Sequence, residues 1–503
     1  MDSITGVTAH AARTPDKPAL VLGDSVVTYA DLDARSTRLA HALRHLGVPD
    51  DGVIAVMLGN SVEFVEVGVA SGKLAAHLVP VNWHLRAEEA GWIIADSGAQ
   101  VLVAHVSLRT EVTAALRHAP GCALLLVGGD GPESYAAAVA AGAGPALDSG
   151  PAWLPTFYTS GTTGRPKGVV HGYLDRERMG TSMAGQVALW WWTADDVYLL
   201  CGPAYHAASG GWVMAALFVG ATTVIMPTWD AVAWLDLVDR HRVTRSVMVP
   251  AHFIRILEVD ADQRAQRDLT SLSLIVHGAA PCPVDVKRRF MAAVPAQVWE
   301  LYGGSEGGAT KIGPADWLAR PGSVGQPWPG VEVRVLDEAG AAVPAGETGV
   351  IFIKPALGMR FHYHRDEAKT TSVWREDAFT IGDMGHLDGD GFLFVTDRLS
   401  DLVIRGGVNI YPREIEEVLI THPAVVDCTV FGVPDERNGE ELRAVVETRA
   451  PTSAEDIRTF LGEHLAGFKV PRHVEFVTQL PRDPNGKVRK RALRDQHWQG
   501  RAI

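Results

Sequence analysis

Of 503 residues only four are cysteine, Cys122, Cys201, Cys282 and Cys428, and no two of them form a CxxC pair. That spacing argues against a zinc ribbon and a disulfide framework, and implies reduced thiols in a reducing compartment. No uninterrupted apolar run approaches the ~20 residues that span a bilayer. Met1-Asp2-Ser3 opens no basic-then-apolar leader, so neither a transmembrane segment nor secretion is expected and the setting reads as cytoplasmic. Positive charge is in short supply: 46 Lys and Arg stand against 59 Asp and Glu, a formal net charge of −13. A balance of that sign disfavours nucleic acid or an anionic membrane as a global partner. Internal repeats and low-complexity segments are missing as well. Finally, no Gly-Lys pair is followed by Ser or Thr, which excludes a P-loop kinase or ATPase.

What is there has the composition of a globular protein, 47% hydrophobic and 21% charged, in a chain too long for one ordinary core. Strand-like and helix-like runs alternate early: 52–57 as strand, 62–76 as helix, 77–82 as strand, 86–97 as helix and 100–105 as strand. Leu32, Leu39, Leu43 and Leu46 keep helical spacing before them. Such alternation predicts a mostly parallel sheet covered on both faces. From about 320 to 396, short β-prone runs separated by turn signals predict a β-rich subdomain. Within it Asp388-Gly389-Asp390-Gly391 reads as a hairpin turn, because no glutamate follows at the spacing of a calcium loop. After Arg398 a strand, a glycine pair and a helix from Pro412 announce a small α+β unit running to the end.

The densest chemistry lies in YTSGTTGRPKGVVH, Tyr158–His171, with four Ser and Thr hydroxyls, three glycines and Lys167 between two β-prone runs. Glycines let backbone amides approach an anion, and hydroxyls and a lysine add donors, so the stretch reads as a phosphate cradle. Four later stretches stand out less by themselves. YGGSEGG (302–308) and Gly382-Asp383 would ordinarily be turns. DRLSDLVIRGGVNIYPREIEEVL (397–419) joins a charged link to a strand, a glycine pair and a helix. LPRDPNGKVRKRAL (480–493) would ordinarily be a solvated basic tail.

In this order and spacing, beginning with VVTYADLDARSTRLAHAL at 26–43, these segments resemble the adenylate-forming superfamily of acyl-CoA synthetases, adenylation domains and luciferases. The resemblance covers nearly the whole chain and implies an α/β fold. Residues 1–398 would form a large N-terminal domain of mixed, mostly parallel sheets covered by helices plus a β-rich subdomain. Residues 399–401 would be a hinge, and 402–503 a small mobile α+β domain. It implies ATP, Mg2+ and coenzyme A as ligands. Joining a carboxylate to an α-phosphate brings two anions together, so fixed positive donors and a metal ion are required. By resemblance, Thr159, Ser160, Gly161, Thr162, Thr163, Gly164 and Lys167 would hold the β- and γ-phosphates. Ser305 would touch the α-phosphate and Glu306 would bind Mg2+. Adenine would lie between Gly278-Ala279-Ala280 and the ring of Tyr302, beside Gly303. Asp383, with Arg398, would take the ribose hydroxyls. Lys487 would bridge the acid and the α-phosphate, a role suited to a point charge on a flexible stem. Ser400 stands at the pivot where relatives usually carry Asp or Lys. Gly406 and Gly407 match a strand lining the thiol tunnel, and Val408 replaces the glutamate that often follows them.

PAYHAASGGWVMA (203–215) resembles the acyl-pocket segment, with Tyr205, His206, Gly210 and Gly211 as lining and His206 as a gate. A lone histidine is ordinarily a satisfied core residue, and the Trp190-Trp191-Trp192 run is ordinarily core as well. Trp212 and Met214 would supply apolar walls. No carboxylate stands in the segment for an amino-acid ammonium, and no arginine for a second carboxylate. A hydrophobic monocarboxylic acid is expected, either a medium or long fatty acid or a bulky alicyclic or terpenoid acid. The rivals are an aryl-acid ligase, an acyl-AMP ligase that loads a carrier protein, and a nucleotide-binding regulator that has lost catalysis.

Overall fold

The structure is a computed structural model that describes residues 5–159, 166–171, 176–356, 359–405, 408–435, 437–483 and 486–498. It divides into two compact units, one of Met1–Met248, Glu258–Val276 and Met359–Ser372, the other of Val249–Leu257, His277–Gly358 and Val373–Ile503.

The first unit holds the parallel sheets that the alternation predicts. Val53–Met57, His77–Pro80, Val101–His105, Ala123–Val127 and Leu154–Pro155 lie side by side in parallel. Residues such as Ala55, Leu102 and Leu78 are fully buried, because helices cover such a sheet and leave its strands no wet face. A second run orders Arg245–Met248, Val197–Leu200, Thr222–Ile225, Pro18–Leu22 and Ser25–Thr28. Helix Tyr29–His45 starts at a capping box in which Thr28 Oγ1 accepts from the Asp31 amide and Asp31 accepts from the Thr28 amide. Such a cap satisfies two donors that a helix start leaves open. Leu32, Leu39 and Leu43 are buried, while Leu46, one position past the helix, is 38% exposed. A third, small sheet orders Phe361–Tyr363, Lys167–His171 and Phe157–Thr159, all antiparallel.

The tryptophan run is core, with one exception. Trp190 and Trp192 are buried against Trp212 and Tyr198, with ring centroids 5.1 to 6.0 Å apart. The Arg245 guanidinium lies 4.5 Å from the Trp192 ring and pairs with Asp196 at 2.9 Å. Trp191, at φ 52°, turns out to solvent. Trp212 is itself part of this cluster, in contact with three of its rings.

The second unit carries strand Gln297–Gly304 beside Gly307–Ile312 and Gln326–Pro327. Its β-rich sheet includes Glu332–Leu336, Gly349–Lys354, Asp383–Leu387 and Leu393–Arg398. Asp388–Gly391 is the hairpin turn joining the last two, with the Gly391 amide donating to the Asp388 carbonyl at 3.1 Å. The β-rich stretch of sequence is interrupted by helix Glu367–Val373, which up to Ser372 belongs with Phe361–Tyr363 to the first unit. The last sheet orders Val408–Ile410, Val403–Arg405, Gly439–Thr448 and Val425–Asp435, with His473–Val477 parallel on Gly439–Thr448. Its core joins Val403, Ile410, Leu442 and Ala444 to helix residues Ile415, Leu419, Ile457 and Leu461. Among the described residues no helix is long and apolar enough to cross a membrane.

Ile415 is fully buried in that last core. Ile415→Ala is expected to cost about 2–4 kcal/mol of stability, read as a lowered urea midpoint of the full chain. A midpoint unchanged by the substitution would contradict this packing.

Candidate active site

In the first unit, Tyr158 faces Gly168 and Thr159 faces Lys167 across the antiparallel pair. Both strands are tied down by side chains. Tyr158 Oη donates to Asp96 at 2.7 Å, and Lys167 Nζ donates to Asp366 at 2.7 Å. The ammonium beside it holds the Asp366 carboxyl below the usual carboxylate range. On the far edge, Phe361–Tyr363 pairs with His171–Val169 and the His364 amide donates to the Gly168 carbonyl at 2.8 Å. Ser160, Gly161, Thr162, Thr163 and Gly164 lie outside the described residues, as do Gly406 and Gly407.

His206 precedes helix Ala207–Val219 as its N-cap, and its carbonyl accepts the Gly210 amide at 2.8 Å. Its ring leans on Tyr205 at 4.7 Å between centroids. The two glycines differ. A Cβ on Gly210 would lie 2.6 Å from the Ala204 carbonyl oxygen, whereas one on Gly211 would meet nothing within 4 Å. Gly210 is thus needed for close packing, and Gly211 faces open space.

The second unit gathers most of the remaining candidates. Ser305 and Glu306 are the two residues of a tight hairpin between Gln297–Gly304 and Gly307–Ile312, closed by the Gly304–Gly307 pair. A Cβ on Gly303 would lie 2.6 Å from the Gly307 carbonyl oxygen, so only glycine fits there. Tyr302, on the same strand, donates its hydroxyl to Asp383 at 2.9 Å. Asp383 stands opposite Arg398 in register, and Arg398 Nε lies 3.3 Å from its carboxylate. Burial raises the Asp383 pKa, opposed first by Arg398 and then by Tyr302 and Lys487. Gly278 backs onto the same strand, with Leu301 O 2.6 Å from where its Cβ would be, and Ala279 next to it adopts φ 65°.

Lys487 reaches this cluster from a hairpin of its own. The Asp483 amide donates to the Lys487 carbonyl at 2.7 Å, and Asp483 Oδ1 accepts the Lys487 amide at 2.9 Å. Arg482 Nη1 donates to the Gly486 carbonyl at 2.6 Å and its other arm pairs with Asp427. Burial pulls the Lys487 pKa down and Arg398 adds to the fall; Asp483, Asp383 and Glu306 oppose it. The basic run after it is no solvated tail: Lys490 pairs with Glu416 at 2.9 Å and Arg494 lies 4.0 Å from Asp401. Ser400 falls in the short turn Leu399–Asp401. Around that turn, Arg413 donates its amide to Asp397 at 3.1 Å and Nη1 to the Val395 carbonyl at 2.7 Å.

Among the described residues no group of three or more His, Cys, Asp or Glu side chains is gathered to hold a metal ion. One hairpin carboxylate, Glu306, suits Mg2+, which is bound through one or two carboxylates together with substrate phosphates. Sequence reasoning missed Asp366, Arg482 and Asp483. Asp483 was within reach, because an aspartate four residues before Lys487 in RDPNGK is a turn signal. Asp366 was not, since its partner is 199 residues away.

The AMP-binding enzyme family model matches residues 7–363, and the AMP-binding enzyme C-terminal domain matches 414–487. A feruloyl-CoA synthase of Amycolatopsis sp is 35% identical over 500 residues, 96% of this chain and 97% of that protein. A fatty acid–[acyl-carrier-protein] ligase of Streptomyces coeruleorubidus is 32% identical over 507 residues, 97% of this chain and 95% of that protein. The solved o-succinylbenzoate CoA synthetase of Bacillus subtilis, in complex with its acyl-adenylate intermediate, superposes with a TM-score of 0.84 at 27% identity, covering 97% of both chains.

The surroundings of Lys487 make its titration measurable. Asp483→Asn keeps an acceptor for the Lys487 amide but removes the first carboxylate that favours the ammonium. Competitive labelling of lysines across pH, read by mass spectrometry, is expected to show Lys487 titrating below the ordinary range of about 10.4. In Asp483→Asn it moves lower still. A value equal to that of exposed lysines in both proteins would refute the burial argument.

Proposed function

The chain belongs to the AMP-binding enzyme family as an ATP-dependent, AMP-forming acid–CoA ligase, and from that premise we propose that its acid is a hydrophobic monocarboxylic acid. A medium- or long-chain fatty acid or a bulky alicyclic or terpenoid acid fits best. In the first half-reaction a carboxylate oxygen attacks the α-phosphorus and the bond to pyrophosphate breaks. In the second the CoA sulfur attacks the acyl carbon, AMP leaves, and the thiol proton goes to solvent. Mg2+, when bound with ATP, neutralises phosphate charge as it shifts toward the leaving group.

The observation that carries the reading is the cluster in the second unit. Lys487, Arg398, Asp383, Tyr302 and Glu306 interact there through the contacts and charges already described. Lys487 supplies the positive charge between the two reacting anions, and Asp383 accepts the ribose diol with Arg398 beside it. Tyr302 lends its ring to adenine, against Gly278, Ala279 and Ala280. Glu306 is the protein carboxylate for Mg2+, and Ser305 donates to the α-phosphate. Thr159 and Lys167, with residues 160–164 between them, grip the departing pyrophosphate. A decayed nucleotide-binding regulator would have no use for this set together. Between the two steps, rotation about residues 399–401 withdraws Lys487, with 1–398 as the core domain and 402–503 as the moving one. Arg413 must then let go of Val395 and Asp397.

For the acid, the support is what the pocket segment lacks and the open side of Gly211. The feruloyl-CoA synthase relative favours a second reading, an aryl acid. The fatty acid–[acyl-carrier-protein] ligase relative favours a carrier protein as the other acceptor to test. All four cysteines are free, and a cytoplasmic setting is part of the proposal.

The test supplies Mg-ATP and a panel of fatty, aromatic and polycyclic acids, with and without CoA, following pyrophosphate and identifying the products by mass spectrometry. Hydrophobic acids are expected to give CoA thioesters, and Lys487→Ala to slow adenylate formation about 100- to 1000-fold. Gly211→Leu is expected to cut kcat/KM for the bulkiest accepted acid about tenfold and to spare the smallest. Equal losses across the panel would remove Gly211 from the pocket. Acyl-AMP accumulating at any CoA concentration would point to the carrier protein.

A further inference from the structure

The Lys167 ammonium has an occupant before any phosphate arrives. Its 2.7 Å bond to Asp366 is half-sheltered, with side-chain exposures of 15% and 33%. The acid has no freedom to follow the lysine. Asp366 Oδ1 accepts the Lys369 amide at 2.9 Å, and its carbonyl accepts Thr370 Oγ1 at 2.8 Å and the Thr370 amide at 3.0 Å. Just upstream, Phe361–Tyr363 is paired strand to strand with His171–Val169. The lysine, by contrast, is a charge on a flexible four-carbon stem and can turn toward another anion.

Resting on the reading that Lys167 grips the terminal phosphates, we propose that Asp366 is the resting counter-ion of Lys167. It is a positioning residue that competes with pyrophosphate for the ammonium and so hastens release of that product. Two physical terms act in the same direction. Pyrophosphate gains from Lys167 only the excess over what Asp366 already provides, because one ammonium cannot serve both anions fully. A fixed carboxylate next to a highly charged anion also repels it. When pyrophosphate departs, Asp366 receives the ammonium and spares it an unpaired state in a half-buried position. A pair serving structure alone would leave pyrophosphate affinity indifferent to the acid's charge.

The experiment measures binding of Mg-pyrophosphate to the full chain by calorimetry, alongside its inhibition of turnover. Asp366→Asn keeps an acceptor for the Lys369 amide and removes the charge; Asp366→Ser is a second charge-free variant that can still accept that bond. Both are expected to bind pyrophosphate about three- to tenfold tighter and to be inhibited at correspondingly lower concentrations, with KM for CoA unchanged. Asp366→Glu is expected to restore most of the wild-type behaviour. In a Lys167→Ala background the gain is expected to vanish, as a double-mutant cycle requires if the two residues act together. Unchanged or weaker binding in the charge-free variants, with Lys167→Ala itself weakened, would overturn the competition and leave the phosphate grip standing. Wild-type affinity in Lys167→Ala would overturn the grip and this proposal together.

Discussion

A lysine withdrawn from water next to an arginine holds its proton less tightly than a free one, and three carboxylates of the second unit oppose that weakening. Burial and Arg398 both push Lys487 toward neutrality, and Asp483, Asp383 and Glu306 push back. The three acids come from different places: Asp483 from the lysine's own hairpin, Asp383 from the start of a strand, Glu306 from the tip of another hairpin. In the folded chain the three pieces act together in favour of the ammonium. Two of them, Asp383 and Glu306, are the carboxylates proposed for ribose and Mg2+, so under that proposal ligand binding would be linked to the charge state of the lysine.

The first unit handles its lysine differently. Lys167 meets a single acid directly, at 2.7 Å, and the strand before it is held by the Tyr158 hydroxyl on Asp96. One arrangement spreads the compensation over several acids, and the other concentrates it in one bond. A charge that must persist through bond making suits the first. A charge that must be handed between anions suits the second.

Much of this was legible in the sequence because local signals agreed with the final structure. The helical spacing of Leu32, Leu39 and Leu43 and the Asp388–Gly391 turn rest on interactions within a few residues, and the strand–helix alternation of the first unit is a local pattern from which its parallel pairing follows. Periodicity overreached only at ends, as at Leu46, where the helix stops one residue short. The Trp190-Trp191-Trp192 run shows where composition fails. Two of its rings are core and one faces water, a difference set by a left-handed backbone at Trp191. The candidate residues could be named from ordered motifs, and the resemblance also set Arg398 beside Asp383, a pairing that strand register makes. Other partners could not be named: that Lys490 meets Glu416 follows from helix packing and is not visible until the chain is folded.

The strand that begins at Lys167 finds its outer neighbour, Phe361–Tyr363, almost two hundred residues further along. Ribosomes add about 5–20 residues each second, so the edge of the phosphate-loop sheet stays bare for roughly 10–40 s of synthesis. Its open N–H and C=O groups are in that interval a template for any other extended segment. A nascent chain stopped between 171 and 361 would expose this edge with no strand of its own to cover it, which gives a chaperone a reason to act in that window of translation.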